Sequence, residues 1–314
     1  MIKLNFETLT PLHISNGNQL AYNLEYIVIN NTVAKLNPIK ASESIASKGI
    51  FDFKKNYGFR EIIKIIEQNK QILNNCYDYK MYAEQSFINY LKGENRDGQK
   101  IIQEFINSNG NFYIPGSSIK GMLSTILNRN PELNPLGINP KNPNYLDKFV
   151  ITDSNYLDEN DFRVDIANRP PSINLMTLDP GVEFESTIRK VGNLSILDLK
   201  NSLRIYSLAQ MGKAKKFVEK FKNLERNPGG ATFYYSVLEK MTDEISLDKN
   251  EYLVNLGFGG GSYYKIFPDA QIPTFKSKKR SNSREMEEAH TTFTVQIENE
   301  LFQLGWCKLI IEEE

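Results

Sequence analysis

Two glycine-containing loops carry the residue types in this 314-residue chain that are best suited to holding an anion. The first is Tyr113-Ile114-Pro115-Gly116-Ser117-Ser118-Ile119-Lys120-Gly121. Gly116 and Gly121 have the separation found in a nucleotide-hydrolysing phosphate loop, but that loop needs Lys after its second glycine and then Ser or Thr. Met122 and Leu123 stand there instead, which excludes an NTPase. What remains is a Gly-Ser-Ser turn entering a helix. Backbone N–H groups, two hydroxyls, the positive end of the helix dipole and the Lys120 ammonium would all favour an anion. The same spacing also suits a plain N-cap, with Ser117 or Ser118 closing a structural helix.

The second loop is Gly257-Phe258-Gly259-Gly260-Gly261-Ser262. A dinucleotide fingerprint would place its third glycine where Ser262 stands, and would come early in the chain, so a Rossmann fold is not indicated. Four glycines in five positions mean either close approach of the backbone to something or unusual dihedrals. Tyr263, Tyr264 and Lys265 follow directly, and aromatics beside a glycine turn and a lysine suit base stacking and phosphate pairing. A tight turn packed on a neighbouring strand would use the same glycines.

Other chemistries find little support. His13 and His290 are the only histidines, Cys76 and Cys307 the only cysteines, and none has zinc-ligand spacing. No metal and no cofactor is expected, and the cysteine count points to a reducing cytoplasm without disulfides. Lys and Arg number 38, equal to Asp and Glu, so a free-standing, salt-driven nucleic-acid binder is disfavoured while a local basic groove remains open. Hydrophobic residues at 40% and aromatics at 11% support a real core. Mean hydropathy is −0.44, no apolar run approaches the ~18 residues of a membrane span, and the first residues do not read as a signal peptide.

The elements that must position these loops alternate between two periods. Ile2, Leu4 and Phe6 alternate with polar residues as a half-buried strand does, and Thr10 to Asn18 reads as a loop. Leu24–Ile29 and Thr32–Leu36 flank Asn30-Asn31 as a hairpin, and Pro38 opens a short helix. From Tyr57 to Leu91 the apolar spacing predicts amphipathic helices, a helical insertion spanning about 40–98. Ile101–Ile106 fits strand or short helix, and Ile119 to Leu127 a helix. Phe149–Ile151, Val182–Ile188, Tyr252–Leu256, Thr291–Ile297 and Trp306–Ile311 read as strands, Leu194–Leu224 as a helix with a lysine-rich second half. The stretch 273–290 reads as a mobile loop. The irregular mixture favours an α+β fold over a doubly wound sheet.

Taken in order, Thr10-Pro11-Leu12-His13-Ile14, the Pro115–Gly121 string, Ile151-Thr152-Asp153-Ser154, Gly257–Gly261 and Leu304-Gly305-Trp306 resemble the RAMP proteins of type III CRISPR systems. Within them the chain resembles the subunit that caps the crRNA 3′-region end of the type III-A (Csm) filament. The resemblance implies a ferredoxin-like (RRM-type) βαββαβ core with insertions and a second degenerate half, divided near 192/193 into a core (1–192) and a C-terminal part (193–314) or continuous as one domain. It implies a structural crRNA-binding role, other Csm subunits as partners, and a part in crRNA maturation through recruited host ribonucleases. The residues it assigns to RNA are His13, Gly116, Ser117, Ser118, Lys120, Gly259, Gly260, Gly261, Tyr263 and Lys265. Backbone-donor loops would let one scaffold accept any spacer sequence.

The alternative is a metal-independent crRNA-processing ribonuclease. RAMP endonucleases use a histidine, and here His13 with Lys120 would supply an acid–base group and a cation beside the 2′-OH. His13 sits between Leu12 and Ile14, the setting of a loop-fixing histidine. Target-cutting RAMP subunits rely on an Asp in an N-terminal loop, whereas between Thr8 and Lys40 the only carboxylate is Glu25. Asp153 reads as a helix or turn cap, and the Lys213–Lys222 cluster as a solvated helix face. Binding is therefore favoured over catalysis.

Overall fold

The computed structural model describes residues 1–52, 54–93, 100–128, 149–167, 172–191, 196–222, 243, 245–260, 293–298 and 300–313. In chain order the strands begin β1 (Ile2–Thr8), β2 (Ser15–Ala21), β3 (Tyr26–Ile29), β4 (Thr32–Leu36), β5 (Tyr77–Ala83), β6 (Ile101–Phe105), β7 (Asn107–Ser108) and β8 (Asn111–Phe112). They continue with β9 (Phe149–Ile151), β10 (Phe162–Ala167), β11 (Ile173–Leu178), β12 (Glu183–Val191), β13 (Glu251–Asn255), β14 (Thr294–Ile297), β15 (Glu300–Gln303) and β16 (Trp306–Glu313). The α-helices are α1 (Pro38–Ser47), α2 (Phe59–Gln68), α3 (Gln85–Lys92), α4 (Gly116–Asn128) and α5 (Ile196–Lys222). The fold is α+β, as its irregular sequence periodicity predicts. No described helix is long and apolar enough to cross a membrane.

Two compact units share the chain. One comprises Met1–Leu12, Ile114–Asn155 and Pro180–Glu314, the other His13–Tyr113 and Tyr156–Asp179. The chain passes between them four times.

The first unit is built on a five-stranded sheet in the order β13-β16-β1-β12-β9, every neighbouring pair antiparallel. With α4 between β1 and β9, and α5 after β12, four of its strands follow the order 4-1-3-2 along a βαββαβ path, and β13 adds an outer edge. Period-2 alternation in β1 buries Ile2, Leu4 and Phe6, and Phe6 stacks on its cross-strand partner Phe184 at 4.8 Å. On the buried side of α4 lie Ile119, Met122, Leu123, Ile126 and Leu127, and on that of α5 lie Leu199, Leu203 and Tyr206. The other sheet face carries Lys3, Asn5, Glu7, Glu183, Glu185, Lys308 and Glu312, directly opposed in register. Lys3 pairs with Glu185 at 2.6 Å and Lys308 with Glu7, yet carboxylates outnumber ammonium groups four to two.

The second unit holds a seven-stranded sheet, β2-β6-β11-β10-β5-β4-β3, in which only β6/β11 and β5/β10 are parallel. The expected hairpin is β3–β4, with Asn30 at φ 55° in its turn, and Asn37 caps α1 by accepting the Lys40 N–H at 2.9 Å. Two sequence expectations need correction. Tyr77–Ala83, included in a helical stretch, is strand β5: Tyr79, Met81 and Ala83 are buried and Asp78, Lys80 and Tyr82 exposed, a period of two that the helical run on either side obscures. Ser15–Asn18, expected in a loop, opens strand β2 around a bulge, because Asn16 and Asn18 donate to the buried Glu104 carboxylate at 2.9 and 3.1 Å. Strands β10 and β11 were not anticipated at all. They lie inside the sheet, where a buried Arg163 and Asp165 break the apolar signature of a central strand.

Candidate nucleic-acid interface

Strand direction decides where the loops meet. Because each neighbouring pair in the first unit is antiparallel, β1, β9 and β13 run the same way, and β12 and β16 run back. The ends of β1, β9 and β13 and the starts of β12 and β16 therefore share one end of the sheet. Four of the five sequence strings emerge there, along with Thr10 and Pro11 of the fifth.

Hydrogen bonds knit this end together. Leu9 and Thr10 donate backbone N–H groups to the Trp306 carbonyl at 2.9 and 3.2 Å, and Trp306 N–H donates to the Thr10 hydroxyl at 2.9 Å. Gly305 N–H reaches Pro11 O at 2.9 Å, and Leu256 N–H reaches Gly305 O at 2.7 Å. Thr8 and Val182 are tied by backbone and side chain, and Ile114 N–H donates to the Ser154 hydroxyl at 2.8 Å.

Helix α4 enters this end through Gly116, whose N–H donates to Asp153 Oδ1 at 2.8 Å. Asp153 is thus a helix cap, supplied from 37 residues downstream rather than from the helix's own flank. A Cβ on Gly116 would lie 2.2 Å from Ile151 O and 2.8 Å from Thr152 O, so glycine is required here by the chain's own backbone. Ser117 is exposed, Ser118 and Lys120 half-buried, and nothing lies within 4 Å of a Cβ at Gly121. Lys120 makes no ion pair among the described residues.

At the far edge, the loop after β13 is also fixed from inside. Gly259, at φ 96°, would place a Cβ 2.7 Å from Leu304 Cδ1; at Gly260 a Cβ would fall 1.7 Å from Asn255 Oδ1. Both glycines are buried, and Asn255 Nδ2 in turn donates to Leu304 O at 3.1 Å. Phe258, between the glycines, is 38% exposed with its ring 4.9 Å from Phe293. Sequence reasoning passed over it, although an aromatic flanked by glycines is itself the signal of a ring held at a surface. Gly261, Tyr263 and Lys265 lie outside the described residues, as does the expected loop 273–290. The two glycine loops stand at opposite edges, four strand spacings of ~4.8 Å or roughly 19 Å apart, at the same end of one sheet.

His13 belongs to the second unit, is 1% exposed, and its Nδ1–H donates to Met176 O at 2.7 Å. Burial pulls its pKa down to about 4, against a smaller opposing effect of the Met176 hydrogen bond, so the ring is neutral at pH 7. The ring fixes the loop, with Phe105 edge-on at 6.1 Å. Among the described residues no group of three His, Cys, Asp or Glu side chains is placed to hold a metal ion.

The model of the RAMP superfamily matches residues 5–264, from the first strand through both glycine loops. The chain belongs to the RAMP superfamily. Two solved structures share its fold. One is the crystal structure of T. onnurineus Csm5, 16% identical, with a TM-score of 0.54 over 81% of this chain and 90% of that one. The other is a chain in a cryo-EM structure of a Csm–crRNA–target RNA ternary complex from a type III-A CRISPR–Cas system. It is also 16% identical, with a TM-score of 0.63 over 98% of this chain and 100% of that one. No curated protein matches in sequence. In this RAMP chain, the strings that carry the resemblance are the ones that converge at one end of the first sheet.

Proposed function

We propose that this RAMP protein is a crRNA-binding structural subunit of a type III-A CRISPR effector complex, acting in antiviral defence in the cytoplasm. In this reading it caps the end of the complex that carries the crRNA 3′ region. Its partners are crRNA and the other Csm subunits, and it serves crRNA maturation by recruiting host ribonucleases rather than by cutting.

The observation that carries the reading is the sheet end where Ser117, Ser118 and Lys120 in the first turns of α4 and Phe258 in the loop after β13 are braced from within. One exposed and one half-buried hydroxyl, a half-buried ammonium without an ion pair among the described residues, and an exposed aromatic suit phosphate and base without reading sequence. The open face of the sheet is a poor alternative: across β1, β12 and β16 it sets Glu7, Glu183, Glu185 and Glu312 against Lys3 and Lys308, a balance that repels phosphate. The fold shared with a chain of a Csm–crRNA–target RNA complex supports the assignment of partners. The buried, neutral His13 speaks against the ribonuclease alternative, because its proton traffic would have to cross a packed interior.

The test combines binding and cleavage on labelled crRNA precursor. Lys120→Ala should weaken binding by ~1 kcal/mol and lower the salt slope by ~0.7, with no cutting by either protein. Metal-independent cutting that His13→Ala abolishes would establish the alternative instead.

A further inference from the structure

The second unit holds a concavity of about 380 Å³ that none of the loops above explains. It arises from register. In β5, Lys80 and Tyr82 are two residues apart and share a face; across the ladder they oppose Ala34 and Thr32 of β4. Two small residues between two long ones leave a trough, floored by Ala34 and by Ile29 of β3. The rim carries three carboxamides, Asn30 from the hairpin turn, Asn74 from the 3-10 turn Ile72–Asn75, and Asn160. Asn160 is held in place by donating its Nδ2 to Asp158 at 2.7 Å.

The chemistry of this lining is specific. Tyr82 leaves half its surface in solvent, at 50% exposure. The Lys80 ammonium stands 4.4 Å over the Tyr77 ring, and among the described residues no carboxylate lines the trough. An exposed ring, amides with both donors and acceptors, and one ammonium without a lining counter-charge match a planar heterocycle bearing a phosphate.

We propose that this trough is a nucleotide site, in which Tyr82 stacks on the base, Lys80 pairs with the phosphate and the asparagines meet the base edge. It shares no residue with the loops at the sheet end of the first unit, and it stands or falls separately from the function proposed above. The nucleotide can come from a single-stranded RNA or from the free pool.

The full chain is titrated with fluorescein-labelled single-stranded RNA 12-mers and, separately, with AMP and UMP by calorimetry. Tyr82→Ala should weaken binding about tenfold, Tyr82→Phe should retain it, and Lys80→Ala should lower the salt slope for the oligonucleotide by about 0.7. Losses confined to the oligonucleotide identify RNA as the occupant, and losses confined to AMP or UMP identify a free nucleotide; both support the site. Unchanged binding of every probe by both Tyr82→Ala and Lys80→Ala overturns it. A Lys120→Ala protein measured alongside keeps the two readings apart, since its defect reports only on the first unit.

Discussion

A hydrogen atom stands at Gly260 where any other residue would push a carbon to 1.7 Å from Asn255 Oδ1. Gly121, in the other loop, has open space around its missing Cβ and sits inside helix α4. These two glycines therefore separate packing from binding. Gly260→Val should cost about 3 kcal/mol, read as a lowered melting temperature, because the buried Asn255 amide must move and give up its hydrogen bond to Leu304 O. Gly121→Ala should stabilise α4 by ~0.5–1 kcal/mol. If the stabilised Gly121→Ala protein also loses RNA affinity, bare backbone at that position serves the ligand; unchanged affinity would leave Ser117 and Lys120 as the contacts. His13 gives a pH signature. Its folded pKa of about 4 lies below the usual 6.5, so the stability tied to its neutral ring is complete above 6.5 and is lost as pH falls towards 4, about 3 kcal/mol in all. Asp165 acts in the opposite sense. Burial raises it to about 7, outweighing Arg163 and Thr177, so its contribution is full below 3.8 and is lost as pH rises through 7. Urea midpoints of wild type and His13→Asn at pH 7 and pH 5 should converge at the lower pH; a constant gap would mean that the ring titrates normally.

Helix α4 shows how one element depends on another. Its first N–H is satisfied by Asp153, which follows β9, and the Ser154 hydroxyl holds Ile114 just before the helix. Asp153→Ala should cost ~1 kcal/mol and fray the Ser117–Ser118 turn, which native-state hydrogen exchange at those amides would register as faster exchange. Exchange rates unaffected by the substitution would mean that the cap adds nothing. Such dependence also explains what was legible in the sequence. Strands with one wet face announced themselves, as β1 did through Ile2, Leu4 and Phe6, and the β3–β4 hairpin and the Pro38 helix start are local chemistry. The α+β class and the loop entering α4 follow from such signals. Strands β10 and β11 were hidden because their buried polar residues engage partners that no local pattern shows: Asp165 accepts from Thr177 across the ladder at 2.5 Å, and Arg163 pairs with Glu84 at 3.2 Å and Asp179 at 2.5 Å. At the candidate site, the glycine-rich strings were visible, but their reasons were not. Gly116, Gly259 and Gly260 answer to Ile151, Leu304 and Asn255, contacts that no local pattern encodes.

On the scale of the whole chain, zero net charge sets the terms of RNA binding. Only local groups can offset phosphate, so the isolated protein should bind RNA weakly, tolerate any spacer sequence and lose affinity steeply with salt. Fluorescence anisotropy with two unrelated 30-mers at 50 and 200 mM salt checks this. A preference above tenfold between them, or nanomolar binding at the higher salt, would contradict it. Incorporation with partner RAMP subunits should be stable where the isolated chain is not saturated. The five-stranded sheet has one more consequence, and it concerns the order of events at the ribosome. Strand β16 lies between β1 and β13, so β1 has only its β12 neighbour, and β13 has none, until Trp306–Glu313 has been made. Until then β1 and β13 present open backbone edges, whereas every strand of the seven-stranded sheet has been made by Leu178. A nascent chain arrested after residue 300 should therefore already protect the seven-stranded sheet from protease while leaving the β16-facing edges of β1 and β13 open to cleavage or to chaperones, and β16 closes both edges at once.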